Sequence, residues 1–430
     1  MNALLRVSKI TVLGLVLASA LTVVRGQPEQ PDQKAIVRLE DLVSELLTNN
    51  PDIQAARKRF EAAETRPGQQ SALPDPKIEA GWSSATYPLP GFGLGSEPTA
   101  NLGFQLSQEI PFPGKRGLRG GMAAKEAESE GQTFRSTELE QVARLKSAFH
   151  ELRFAYDAID VLRHNQNLLQ RLAKVAEARY SVGGASQQDL VRSEVEINLL
   201  DGRVIQLDQR KSSLEAEINR LLNRPVEKPL GRPEAVDKVP PLPPVESLQR
   251  QALARSPMLR SQRAMIDSRQ LGVEMARKEY YPDFEVMGGY FYQGSMKDMW
   301  EFRVQLNIPI FFWKKQRLGL EEAGIRLTES QRSYRGQQQD LSFRVRDRYL
   351  AAQASERLMD LYSKKISPQS TLALESSLPS YETGTIDFLS VLSNFTAILE
   401  SEFNFHEQKA EYLKALAEID ELTGRTGFED

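Results

Sequence analysis

The chain has 430 residues, of which 40% are hydrophobic and 26% are charged, a balance that excludes both wholesale disorder and a bundle of transmembrane helices. Its formal net charge of -3 gives no basic excess, so no nucleic-acid partner is expected. Cysteine is absent and histidine occurs three times, which excludes disulfides, thiolate sites and a lipidated N-terminal cysteine and argues against a histidine-based metalloenzyme.

The N-terminal segment 1–26 is predicted to be a secretory signal peptide. Arg6 and Lys9 precede a short apolar stretch, and small residues follow it, so cleavage is expected after Ala20 or after Gly26. An uncleaved membrane anchor is the alternative, although the apolar run is short for a span. Beyond this segment there is no further long apolar run, so the exported chain is not expected to cross a membrane as helices.

Helical patterns come first in each half of the remaining chain, at about 38–70 and again at about 246–280. The two halves share landmarks in the same order at a spacing of about 200 residues, a signature of internal duplication. One landmark is a proline that follows Asn50 in the first half and Ser256 in the second. We therefore divide the mature chain into a first repeat, a proline-rich extended linker and a second repeat, at 27–222, 223–245 and 246–430.

Period-two segments follow these helices and predict one β-hairpin in each repeat, within about 77–110 and 283–310. Leu106 and Val304 belong to runs in which apolar and polar residues alternate, so each strand has one apolar and one polar face. Strands of about ten residues suit a tilted crossing of a membrane. Four strands cannot close a barrel, so a membrane location requires several chains. A soluble sheet packed against helices is the alternative.

Very long helices are predicted after the hairpins, at about 115–180 and 315–376, and each would span about 100 Å. A Tyr-x-x-Gly turn ends each of them, at 180–183 and 381–384, and a return helix follows. The predicted fold is therefore mainly α with a small β part, built around two long helical hairpins.

Three sets of motifs together resemble the TolC-like outer membrane efflux proteins. They are Leu73-Pro74-Asp75-Pro76, the run from Gln108 to Arg116, and the paired Tyr-x-x-Gly turns. The resemblance covers about 38–427. The part of the second motif from Pro111 to Arg116 is more similar to the heavy-metal branch of that family than to its drug branch.

The resemblance implies a homotrimer in the outer membrane of a Gram-negative bacterium. Four transmembrane strands per chain would complete a twelve-stranded β-barrel in contact with lipid, and the helical hairpins would form a periplasmic α-barrel. The expected function is a passive exit duct for small molecules or metal ions, opened by a periplasmic adaptor and a proton-driven inner-membrane transporter. No enzyme activity, cofactor or resident metal site is predicted. The alternatives are a type I secretion duct for polypeptides and, in a different class, a periplasmic coiled-coil scaffold.

The resemblance also implies that the two turns form the gate and the adaptor-docking surface. A hydrogen bond from Tyr381 to Asp189 is expected to hold the resting tip shut. The arginine that assists this bond in the family aligns with Ile386 here, so that part of the latch is missing. The implied gate residues are Asp189, Tyr381, Asp387, Ser390 and Ser393, where serines occupy positions that are acidic in relatives. The implied docking residues are Tyr180, Gly183, Leu190, Tyr381, Gly384 and Val391.

Overall fold

The computed structural model describes residues 36–236 and 238–426, so the predicted signal peptide lies outside the described residues. Within these ranges, no helix combines the length and the apolarity that a membrane span needs. The described chain is mostly helical with a small sheet, as expected from the sequence.

The helix predicted over 38–70 is two helices, α1 (Leu39–Asn49) and α2 (Pro51–Ser71), so the prediction of one continuous helix was wrong. Asn50 precedes a proline, which disfavours helical backbone, and it is extended at φ -63° and ψ 125°. Its side chain then caps α2 by accepting hydrogen bonds from the N–H groups of Asp52 (2.9 Å) and Ile53 (3.0 Å).

The second half breaks in the same way, at Ser256 before Pro257. The predicted helix over 246–280 is therefore also a pair, α5 (Val245–Arg255) and α6 (Pro257–Lys278). A proline at the first position of a helix is favourable because it lacks only an N–H that would be unpaired there.

The small sheet is antiparallel, and both predicted hairpins are present. Its strands, in their order across the sheet, are β2 (Lys77–Ser83), β3 (Asn101–Ile110), β5 (Asp283–Tyr292) and β6 (Met299–Asn307). The middle pair joins the two halves of the chain, with Leu106 opposite Gly288 and Phe104 opposite Tyr290. Strands β2 and β6 each have one edge without a partner strand among the described residues.

The register separates the two faces of the sheet, as the period-two pattern predicts. Ala80, Phe104, Tyr290 and Trp300 lie side by side across the four strands on the apolar face. The opposite face carries mainly polar residues, among them Glu79, Gln105, Glu301, Arg303 and Gln305. Trp300 is 78% exposed and Phe302 is 76% exposed, so the described chain leaves this apolar face uncovered.

Two long helical hairpins extend from the sheet. The first consists of α3 (Lys115–Ser181) and α4 (Gln187–Leu221). The second begins with α7 (Lys315–Leu361) and returns as α9 (Phe388–Thr423). The helical stretch predicted at about 315–376 is present, but it contains a π-helical turn at Tyr362–Ile366 that separates α7 from α8 (Ser367–Glu382).

A short parallel ladder ties the start of the described chain to the linker, where β1 (Ile36–Val37) pairs with β4 (Arg232–Pro233). The linker then lies against α9, because the Tyr412 hydroxyl donates to the carbonyl of Pro240 at 2.7 Å.

The cores of the hairpins are apolar clusters along their length. The cluster nearest the turns includes Leu169, Leu172, Tyr381, Phe388, Val391 and Phe395.

Candidate functional site at the helical turns

The first turn, residues 182–186, connects α3 to α4. Gly183 has a φ of 76°, a left-handed conformation in which other residues are strained. The N–H of Gly184 donates to the carbonyl of Arg179 at 2.8 Å and closes the end of α3. Ser186 and Asp189 then form a reciprocal capping box at the start of α4. The carboxylate of Asp189 accepts from the Ser186 hydroxyl at 2.9 Å.

The second turn, residues 383–387, connects α8 to α9 with similar chemistry. Gly384 has a φ of 81°, and the N–H of Thr385 donates to the carbonyl of Ser380 at 2.9 Å. Asp387 caps α9 and accepts hydrogen bonds from the hydroxyl and the N–H of Ser390. These bonds lower the pKa of the Asp387 carboxyl group.

Tyr381 is only 2% exposed and packs against Phe388, with 5.6 Å between ring centroids. Its hydroxyl has no hydrogen-bond partner among the described residues. Burial, and next the negative charge of Asp189, raise the pKa of Tyr381. The two side chains are therefore electrostatic neighbours, but the expected hydrogen bond between them is not formed within the chain. The hydroxyl latch stays a prediction for the assembled tip, in competition with the contacts that the ring and main chain of Tyr381 form within the chain.

The remaining predicted tip residues differ in accessibility. Ser393 and Tyr180 are exposed, as are both turn glycines, while Leu190 is partly covered by the apolar cluster. Val391 is fully buried inside that cluster. A direct contact between Val391 and an adaptor would therefore require α9 to move.

Arg179, in the last turn of α3, is a tip residue that the sequence reasoning missed. Its guanidinium donates to the carbonyl of Tyr381 and, at 2.7 Å, to the carbonyl of Gly184. The guanidinium carbon also lies 4.5 Å from the centroid of the Tyr381 ring, a cation–π geometry. The family resemblance directed attention to an arginine in the second turn. The sequence offered one indication of this role, which is that the positively charged Arg179 directly precedes Tyr180 of the turn motif.

A second polar region lies in the body of the hairpins, between α3, the π-helical turn and α9. A cavity of about 390 Å³ is lined by Asp157, His164, Glu402 and His406. Nδ1 of His406 lies 3.6 Å from a carboxylate oxygen of Asp157, and that carboxylate is paired more closely with Arg153, at 2.7 Å. In the described ranges, no group of three or more histidine or acidic side chains is arranged to hold a metal ion.

Residues 42–224 and 248–425 match the protein family described as outer membrane efflux protein. The chain belongs to that family. The cobalt-zinc-cadmium resistance protein CzcC of Cupriavidus metallidurans is 20% identical over 388 residues, which cover 90% of each protein. The probable outer membrane lipoprotein SilC of Salmonella typhimurium is 22% identical over 371 residues, covering 82% of this chain and 78% of SilC.

Solved structures of channels share the fold of this outer membrane efflux protein. The outer-membrane channel OprN superposes with a TM-score of 0.76 at 19% identity, covering 90% of this chain and 89% of OprN. The family membership confirms the expected outer-membrane location and efflux function.

Proposed function

We propose that this chain forms the exit duct of a tripartite efflux system, and that three copies build one duct. The observation that carries the proposal is the sheet, which has two unpaired edges and an uncovered apolar face among the described residues. Backbone groups at an open edge cannot find partners in lipid, so the edges must pair with further copies. Three four-stranded sheets make a twelve-stranded barrel, wide enough for an aqueous pore.

The pairing inside the chain supports a specific closure between chains. If the two halves are copies, β6 corresponds to β3 and β2 corresponds to β5. We apply the β3–β5 register to β6 of one copy and β2 of its neighbour. This gives three facing pairs, which are Val304 with Trp82, Leu306 with Ala80, and Ile308 with Ile78. All six side chains are apolar and share one face, so the closed ring keeps a continuous apolar outside and a polar inside.

The helical hairpins continue this pore as a periplasmic tunnel. The length of α3, 67 residues, corresponds to about 100 Å of helix. The turns at its far end meet a periplasmic adaptor and a proton-driven inner-membrane transporter. Transport through the duct itself is passive, and the transporter supplies the energy.

The cargo we propose is small molecules or metal ions, with divalent metal ions as the leading class. CzcC, which matches over 90% of this chain, is named for resistance to cobalt, zinc and cadmium. The polar sheet face carries Glu79, Glu109, Glu285 and Glu301 against Lys77 and Arg303, so a pore lined by it would have a negative excess that favours cations.

Gene deletion in a strain that lacks its other outer membrane efflux proteins tests this function. We expect the deletion to lower the concentrations of cobalt, zinc and cadmium salts that stop growth and to raise cellular metal, and the wild-type gene to restore both. Unchanged metal tolerance together with a new sensitivity to organic drugs would contradict the metal cargo. Unchanged tolerance to both classes would contradict the exit duct.

A further inference from the structure

The guanidinium of Arg179 lies where two helices end. Tyr381, whose carbonyl it contacts, is in the last turn of α8, and Gly184 belongs to the turn that ends α3. The carbonyl of Tyr381 also accepts from the N–H of Gly384 at 3.0 Å, and carbonyls at helix C-termini carry partial negative charge that a cation stabilises. A cation that donates to carbonyls from both hairpins therefore stabilises their juxtaposition.

Gly384 makes room for this cation. A Cβ atom at this position would lie 3.0 Å from Nη2 of Arg179, tighter than ordinary van der Waals contact, and the backbone there is left-handed. The ring of Tyr381 covers the guanidinium from another side. Arg179 forms no ion pair with any described residue, so its contacts here are to neutral carbonyls and an aromatic face.

The arrangement is asymmetric between the two halves. In the register that aligns the Tyr-x-x-Gly turns, Ser380 takes the place of Arg179 in the second half. Ser380 cannot reach across to the other hairpin, and its carbonyl accepts from Thr385 within its own turn. Each chain therefore contains one such link in the described tip.

We infer that Arg179 is the positioning residue that holds the second turn against the first and so keeps the duct tip in its resting state. The inference rests on the proposed exit duct and assigns part of its regulation. The ring and main-chain carbonyl of Tyr381 carry the contact, and the Tyr381 hydroxyl does not.

Single-channel recordings of the purified protein in planar bilayers separate this link from a hydroxyl latch. Arg179→Gln removes the cation and Tyr381→Leu removes the ring, so both should raise the open fraction by about fivefold or more. Tyr381→Phe keeps the ring and should behave as wild type. Arg192→Gln, an exposed arginine of α4, is the matched control and should also behave as wild type.

Hydrogen exchange followed by mass spectrometry gives a readout that does not require conduction. Amides at 380–388 should exchange faster in Arg179→Gln and Tyr381→Leu, and at the wild-type rate in Tyr381→Phe and Arg192→Gln. Unchanged exchange and gating in Arg179→Gln would overturn the inference, as would equal opening by Tyr381→Phe. If no variant conducts but the exchange pattern holds, the exit duct fails while the Arg179 link stands.

Discussion

At the scale of single residues, Lys115 and His150 of α3 are both buried but differ in their partners. Lys115 is 1% exposed, and its ammonium group donates to Asp283 at 2.9 Å and to Glu279 at 3.4 Å. It thereby fixes the start of α3 to the start of β5 in the other half. His150 is 8% exposed, and its Nδ1 has no partner among the described residues.

Lys115→Gln should destabilise the protein, because it leaves Asp283 and Glu279 without their buried cation. Since both acids are partly exposed, we expect a loss of about 2–4 kcal/mol in the free energy of unfolding. Urea unfolding followed by tryptophan fluorescence measures it. Lys315→Gln is the control, because Lys315 also begins a long helix but is exposed and has no ion pair in the described structure. Equal stability of the two variants would contradict the anchoring role.

His150 should make stability depend on pH. Burial, and next the charge of Lys146, lower the pKa of His150 to about 4. The unfolded chain binds this proton near pH 6.5 and the folded chain does not, so stability is complete above pH 6.5 and falls as the pH drops toward 4. The expected loss is about 3 kcal/mol per chain. Urea unfolding at a series of pH values should show a smaller slope for His150→Phe than for the exposed control His164→Gln.

At the scale of elements, most parts set by local chemistry were predicted, one was missed, and the parts set by tertiary contacts were not predictable. The alternation around Leu106 and the glycine turns identify the strands and the ends of the long helices. The break at Asn50 follows from the proline after it, but the helical pattern on both sides concealed it. The π-helical turn at Tyr362–Ile366 has no local sequence signal that we recognise. The role of Arg179 becomes visible only in the folded chain, where the two turns lie next to each other.

The two sheet faces should respond differently to charge. Leu106→Arg or Val304→Arg would place a cation on the apolar face, at an expected cost of about 2–4 kcal/mol near the bilayer centre. Gln105→Arg and Gln305→Arg are matched controls on the polar face and should cost far less. Urea-dependent folding into liposomes measures all four variants. Equal costs on the two faces would mean that the apolar face does not meet lipid.

At the scale of the whole molecule, the proposed duct needs further copies of the chain to complete the sheet. The strand edges of β2 and β6 and the apolar sheet face lack partners among the described residues, and the long helices also expose large apolar side chains such as Ile205 and Phe343. We therefore expect mass measurement in mild detergent to give three protomers per particle. A stable monomer with a complete barrel would be incompatible with a sheet of four strands.

Disulfide trapping between β6 and β2 tests the three-copy duct most directly, because the chain has no cysteine of its own. A chain carrying both Ala80→Cys and Leu306→Cys should cross-link to its neighbours in the outer membrane, since these positions face each other in the proposed register. Non-reducing gels should show a ladder that ends at three chains. Gly81→Cys with Leu306→Cys, shifted by one residue to the opposite face, should not cross-link. A ladder that continues beyond three chains, or no cross-link at Ala80 and Leu306, would contradict the account.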